Sequence, residues 1–192
     1  PGQAMPADMG YDDQTLLFAG MELLLHAQSW LRLGPGAYFH PSTKVKSSQL
    51  DQDFTLGHEL DAQLIVEGVV PTRTLVYVPV RAMVGPMLLF PTEDLEDGRD
   101  AMDELCSEAS FATGACDATT GPILGLTAGG GLGLILVAHP MLRFRADVLF
   151  QYVYAEVGSL EVAGGGNSGD ISLMMSGTRW WLSAGVEFGP TQ

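Results

Sequence analysis

Few short stretches of this chain hold side chains that could do chemistry. His40-Pro41-Ser42 sets an imidazole two residues from a hydroxyl, the pairing in which a base activates a serine nucleophile. Pro41 separates the two, and no particular carboxylate completes a triad, so a turn at loop entry accounts for the tripeptide better. LTAGGGLGL (126–134) has the glycines of a phosphate-binding loop but neither its spacing nor its lysine, and no helical pattern follows. Cys106 and Cys116, in a polar stretch with nine residues between them, suit a local disulfide. Such a bridge stabilises by roughly 2–3 kcal/mol and points to an oxidising compartment. No Cys-x-x-Cys or paired-His spacing is present, so neither a metal site nor a cofactor is expected. The segment 91–121 carries nine acidic residues and one arginine. Its composition suits weak calcium binding or contact with a basic partner, though it lacks the EF-hand spacing.

The remaining chemistry lies in arginines and carboxylates spaced two apart, and that spacing belongs to β-strands. In 141–158, Leu142, Phe144, Ala146, Val148, Phe150, Tyr152 and Tyr154 alternate with Arg143, Arg145, Asp147, Leu149 and Gln151. Six further segments alternate in the same way: 14–28, 30–40, 54–67, 72–90, 122–138 and 179–188. Seven strands are therefore expected, several longer than the ~5–6 residues usual in globular sheets. Short connections fall near 28–30, 68–72 and 138–141, and long ones at 41–53, 91–121 and 157–178. Their strict alternation puts every long loop at one end of the sheet. Short turns at one end and long loops at the other mark a membrane barrel.

A soluble lipocalin-like barrel, such as a lipid carrier would use, has an apolar lumen, whereas a membrane barrel has an apolar exterior. Three features favour the second. The apolar face is clean across its middle, with His58 and Glu156 as the exceptions near the long-loop ends. A charge at mid-bilayer on a lipid-facing surface would cost about 2–4 kcal/mol. The polar face is balanced: Arg32, Arg73, Arg81, Arg143, Arg145 and Arg179 stand against Glu22, Glu59, Asp61, Glu67, Asp147 and Glu187. The whole net charge of −14 lies off that face. An enclosed lumen needs such neutrality, because an unpaired buried charge is costly. Small residues, among them Gly34, Gly36, Gly125, Gly129, Gly131, Gly133 and Gly185, also lie on the polar face, where a tightly curved interior needs room. Arg143, Arg145 and Asp147 are expected to point inward and to meet carboxylates such as Glu59, Asp61 and Glu187. Tyr152, Tyr154, Trp180 and Phe188 are expected at the membrane interface.

The strongly acidic balance excludes nucleic acid as a partner. No run of 18 uncharged apolar residues is present, which argues against a membrane-spanning helix. The chain opens PGQAMPADMG, without an initiator Met, so any export signal lies outside what can be read.

With this pattern, 14–189 resembles the small bacterial outer-membrane β-barrels of the OmpA transmembrane-domain and OmpX type. The final strand, WWLSAGVEFG, resembles the C-terminal signal read by the barrel-assembly machinery in Ser183, Gly185 and Phe188. Pro190 stands where the final aromatic would be. The resemblance implies an antiparallel up-and-down transmembrane barrel, partners in outer-membrane lipid and lipopolysaccharide, surface-exposed long loops and a periplasmic C-terminus. It also implies an even strand number, so an eighth, N-terminal strand is expected before Pro1, with 1–13 an extracellular loop or linker and 91–121 a long acidic extracellular loop.

One domain over 1–192 is therefore expected: a non-enzymatic barrel with an ion-pair-filled lumen, acting through its loops in envelope structure or by docking a protein partner at the cell surface. Two alternatives stay open. One is a narrow small-solute channel. The other is an acyl hydrolase built on His40 and Ser42, since outer-membrane lipid A deacylases place a His-x-Ser pair near the outer leaflet.

Overall fold

The computed structural model describes residues 9–10, 18–47, 52–71, 75–92, 116–118, 122–164 and 167–189; for 9–10, 42–47, 52–56, 71, 116–118, 157–164 and 167–174 it describes the backbone alone. The chain is all-β. Among the described residues ten strands make one antiparallel sheet: β1 (Met9–Gly10), β2 (Ala19–Glu22), β3 (Leu25–Gln28), β4 (Leu31–Ser47), β5 (Gln52–Pro71), β6 (Val76–Pro91), β7 (Cys116–Ala118), β8 (Ile123–His139), β9 (Leu142–Gly164) and β10 (Asn167–Phe188). The long strands pair in sequence order, β4-β5-β6-β8-β9-β10, in up-and-down topology. β1, β2 and β3 all pair with β4 and together form the seventh strand position.

Burial follows the period of two. In β9, Arg143, Asp147, Leu149, Gln151 and Val153 are buried while Phe144, Val148, Phe150, Tyr152 and Tyr154 are exposed. The sheet curls with its charged face inward, far enough for Arg32 on β4 to bond Glu187 on β10. Among the described residues no backbone ladder joins β2 or β3 to β10, and the gap is bridged by side chains at Arg32–Glu187 and Phe18–Trp181. As a result β2 and β3 are exposed on both faces.

The hairpins run further than alternation alone marks. β4 reaches Ser47 and β5 starts at Gln52, so most of 41–53 is strand. Most of 157–178, expected as a long loop, is also strand, because β9 and β10 continue their ladder to Gly164 and Asn167 with one irregularity at Leu173/Met174. Within 91–121, Cys116–Ala118 pairs with β9 at Leu160–Val162. Met9–Gly10, expected in a loop, pairs with Lys46 and Ser47. The cause is shared: outside the apolar band the side chains lose their period, but backbone N–H and C=O groups still need partners, and a hairpin supplies them. The expected 14–28 strand is split at Leu23–Leu24, where the Leu23 N–H donates to Pro35 O at 2.9 Å.

Glycine permits that close approach. A Cβ on Gly34 would lie 1.8 Å from Leu23 O. Gly34→Ala must therefore push the N-terminal strand off β4. We expect a loss of about 1–3 kcal/mol, read from urea unfolding in detergent micelles. Gly185→Ala is the matched control, since a Cβ there meets nothing within 4 Å.

Candidate functional site: the charged interior

Four strata fill the space inside the curl. Nearest the short turns lies a continuous ion-pair network. The Glu67 carboxylate on β5 accepts from Arg32, Arg81 and Arg145, which come from β4, β6 and β9. Arg81 binds Glu22 with both terminal nitrogens, at 2.8 and 2.7 Å. Arg145 grips Asp147, and its Nη2 donates to Oδ1 at 2.9 Å. Glu187 accepts from Arg32 and Arg143, and Ser183 donates to Asp147 at 3.3 Å. Four guanidiniums meet four carboxylates here, so the stratum is formally neutral. A glycine makes room for it: a Cβ on Gly133 would fall 2.0 Å from Asp147 Oδ1.

Above this network Tyr38, Ile65, Met83, Leu149 and Trp181 pack together, with Phe18 and Leu24 against them. The third stratum is polar again. His40 and Glu59 are direct partners across the β4–β5 ladder, and Asp61 is two residues along on the same face as Glu59. All three are fully buried. His40 Nε2 lies 3.4 Å from Asp61 Oδ2. Arg179, on β10, places Nη2 2.6 Å from Glu59 Oε1 and 2.7 Å from Asp61 Oδ2, while its Nε donates to Gln151 at 2.7 Å. Its guanidinium also sits 5.0 Å from the Trp181 ring centre. The His40 ring is stacked on Phe18 and meets Trp181 edge-on. The fourth stratum, toward the long connections, is a dry cluster of Met87, Leu89, Ile123, Val153, Ala155 and Met175.

Of the charged residues that alternation places on the inner face, Glu22, Arg32, Glu59, Asp61, Glu67, Arg81, Arg143, Arg145, Asp147, Arg179 and Glu187 all make ion pairs. Arg73 lies outside the described residues. The partners differ in one respect from expectation. Glu59 and Asp61 are met by Arg179, and Arg143 and Arg145 reach Glu187, Glu67 and Asp147. Register explains this, because Arg179 pairs with Gln151, well up the strand from Arg143 and Arg145. His40 is buried among aromatic rings and points inward, and the Ser42 side chain lies outside the described residues, as do Cys106 and the side chain of Cys116, for which a bridge is expected. Tyr152, Tyr154, Trp180 and Phe188 are all exposed on the outer face, with Phe188 at the short-turn end.

The two apolar strata escape a reading based on charge. Near the long connections both faces of β6, β8 and β9 are apolar, so alternation no longer tells inside from outside. The His40–Glu59–Asp61 cluster escapes too, since it needs the β4–β5 register. A Glu-x-Asp on one strand opposite a histidine on its neighbour is the signal that would have found it.

No family model matches the chain, and neither a curated protein nor a solved structure matches it.

Proposed function

We propose that this chain is an integral outer-membrane β-barrel of structural and surface-interaction type. One observation carries the reading: the polarity of the sheet is inverted relative to a soluble barrel. Ion pairs and buried apolar layers fill the interior, while Leu64, Val84, Leu124, Leu132, Leu134, Val148, Phe150 and Leu182 stand more than half exposed outside. Water tolerates no apolar surface of that extent on a monomer, and lipid requires it. No helix among the described residues is long and apolar enough to cross a membrane. The filled interior supports a plug in place of a pore; a cavity of about 60 Å³ at the short-turn end, lined in part by His26, Arg32, Tyr77 and Arg143, holds at most a few waters. Interaction then falls to the acidic 91–121 segment and the protruding hairpins, toward lipopolysaccharide or a protein partner.

Fractionation tests this directly. The chain, exported in a Gram-negative host, should sediment with outer membranes and show a heat-dependent shift in gel mobility. A monodisperse, detergent-free soluble monomer would refute it. Val148→Arg, at the centre of the outer face of β9, should cost about 2–4 kcal/mol of folding free energy in lipid vesicles. The same substitution would be nearly neutral if that face met water.

A further inference from the structure

The third stratum does not balance. Below it four arginines answer four carboxylates, but here Arg179 alone stands among the described side chains against Glu59 and Asp61. Counted over the described side chains alone, one formal negative charge is left in a layer walled by Trp181, Phe18 and Tyr38 on one side and by the Met87–Leu89 cluster on the other. A lone charge in such surroundings is expensive. Polar atoms there also lack partners. Neither ring nitrogen of His40 makes a hydrogen bond, nor does Asp61 Oδ1. His40 is fully buried and its ring is aimed at the carboxylates.

We propose that His40, Glu59 and Asp61 form a binding site for a divalent transition-metal ion of the zinc class. Each residue offers a donor atom, and the three donors lie within 4.8 Å of one another. One imidazole and two carboxylates are a zinc-type ligand set, and three protein ligands leave a fourth position for water. Neighbouring strands hold the donors in register, so few degrees of freedom are lost on binding. Arg179 need not leave. Each carboxylate has two oxygens, and Arg179 keeps Gln151 and the Trp181 ring as partners when one oxygen turns to the metal. The ion shifts the layer from one negative to one positive charge, and hydroxide as fourth ligand makes it neutral. The aromatic and aliphatic walls favour that neutral state.

Zinc chloride titrated into the chain in detergent micelles, followed by calorimetry and thermal unfolding, tests the site. The expected result is one ion per chain and a raised melting temperature. X-ray absorption of the complex should report nitrogen and oxygen donors at about 2.0–2.1 Å. Asp61→Asn and His40→Gln should each weaken binding by at least about tenfold. His26, His58 and His139 are exposed, and the variant with all three changed to Ala should bind zinc as the parent does. This variant alters no buried residue, so it keeps the test decisive if the interior variants fail to fold. Absence of zinc binding by the parent overturns the proposal. Loss of binding in the surface variant overturns it as well, because zinc would then sit on exposed histidines.

Discussion

Replacing Glu67 with glutamine should lower the unfolding free energy by about 3–5 kcal/mol, the range found when one partner of a buried ion pair is removed. Glu67 is fully buried and binds three arginines, Arg32, Arg81 and Arg145. The substitution conserves volume, so packing is retained. It removes the negative charge, turns an NH₂ toward guanidinium donors and leaves four cations against three anions. Urea unfolding in micelles or vesicles, followed by tryptophan fluorescence, measures the loss. Glu187→Gln is the internal comparison. That carboxylate also pairs with three arginines, Arg32, Arg143 and, at 4.0 Å, Arg145, but its side chain is 21% exposed, and water offsets much of the change; about 1 kcal/mol is expected. Equal, small losses for both would mean that water fills the interior and screens the network.

Arg179→Met should have an effect of the same size, about 3–5 kcal/mol, for the opposite reason. It strands Glu59 and Asp61, both fully buried, in one pocket with no guanidinium between them. Methionine fills most of the space and stays against Trp181. The loss should fall by more than half when Glu59→Gln is added to Arg179→Met, because the second change removes one of the two repelling charges. That non-additivity is expected of residues sharing one interaction. The measurement is made with a chelator present, so that no metal stands in for the arginine. Additive losses would show that Arg179 acts through packing on Trp181 and Gln151 instead.

Outside the interior, the expectations divide by the kind of force involved. The antiparallel all-β architecture, the strand order and the two faces were legible from residue types at a spacing of two. Side-chain direction alternates strictly along a strand, and the two faces of this sheet meet different surroundings. Arg143, Arg145 and Asp147 opposite Phe144, Val148 and Phe150 make the point within eight residues. The ends of the hairpins were not legible. β9 and β10 continue to Gly164 and Asn167 through glycines and serines, held by backbone pairing that no side-chain pattern records.

The chain by itself determined how much charge of each sign faces inward and which strands bear it, since composition and period need no register. Only the tertiary structure decided which charges meet. Register along β4–β5 set His40 against Glu59, and the curl of the sheet carried Arg179 across to Glu59 and Asp61 and Arg32 to Glu187. Local alternation fixes a side chain's direction, but its partner depends on strand offset and curvature, both sums over the whole sheet. Hence the neutral network below and the layer above it, where Arg179 meets both Glu59 and Asp61, came from the same balanced list of residues.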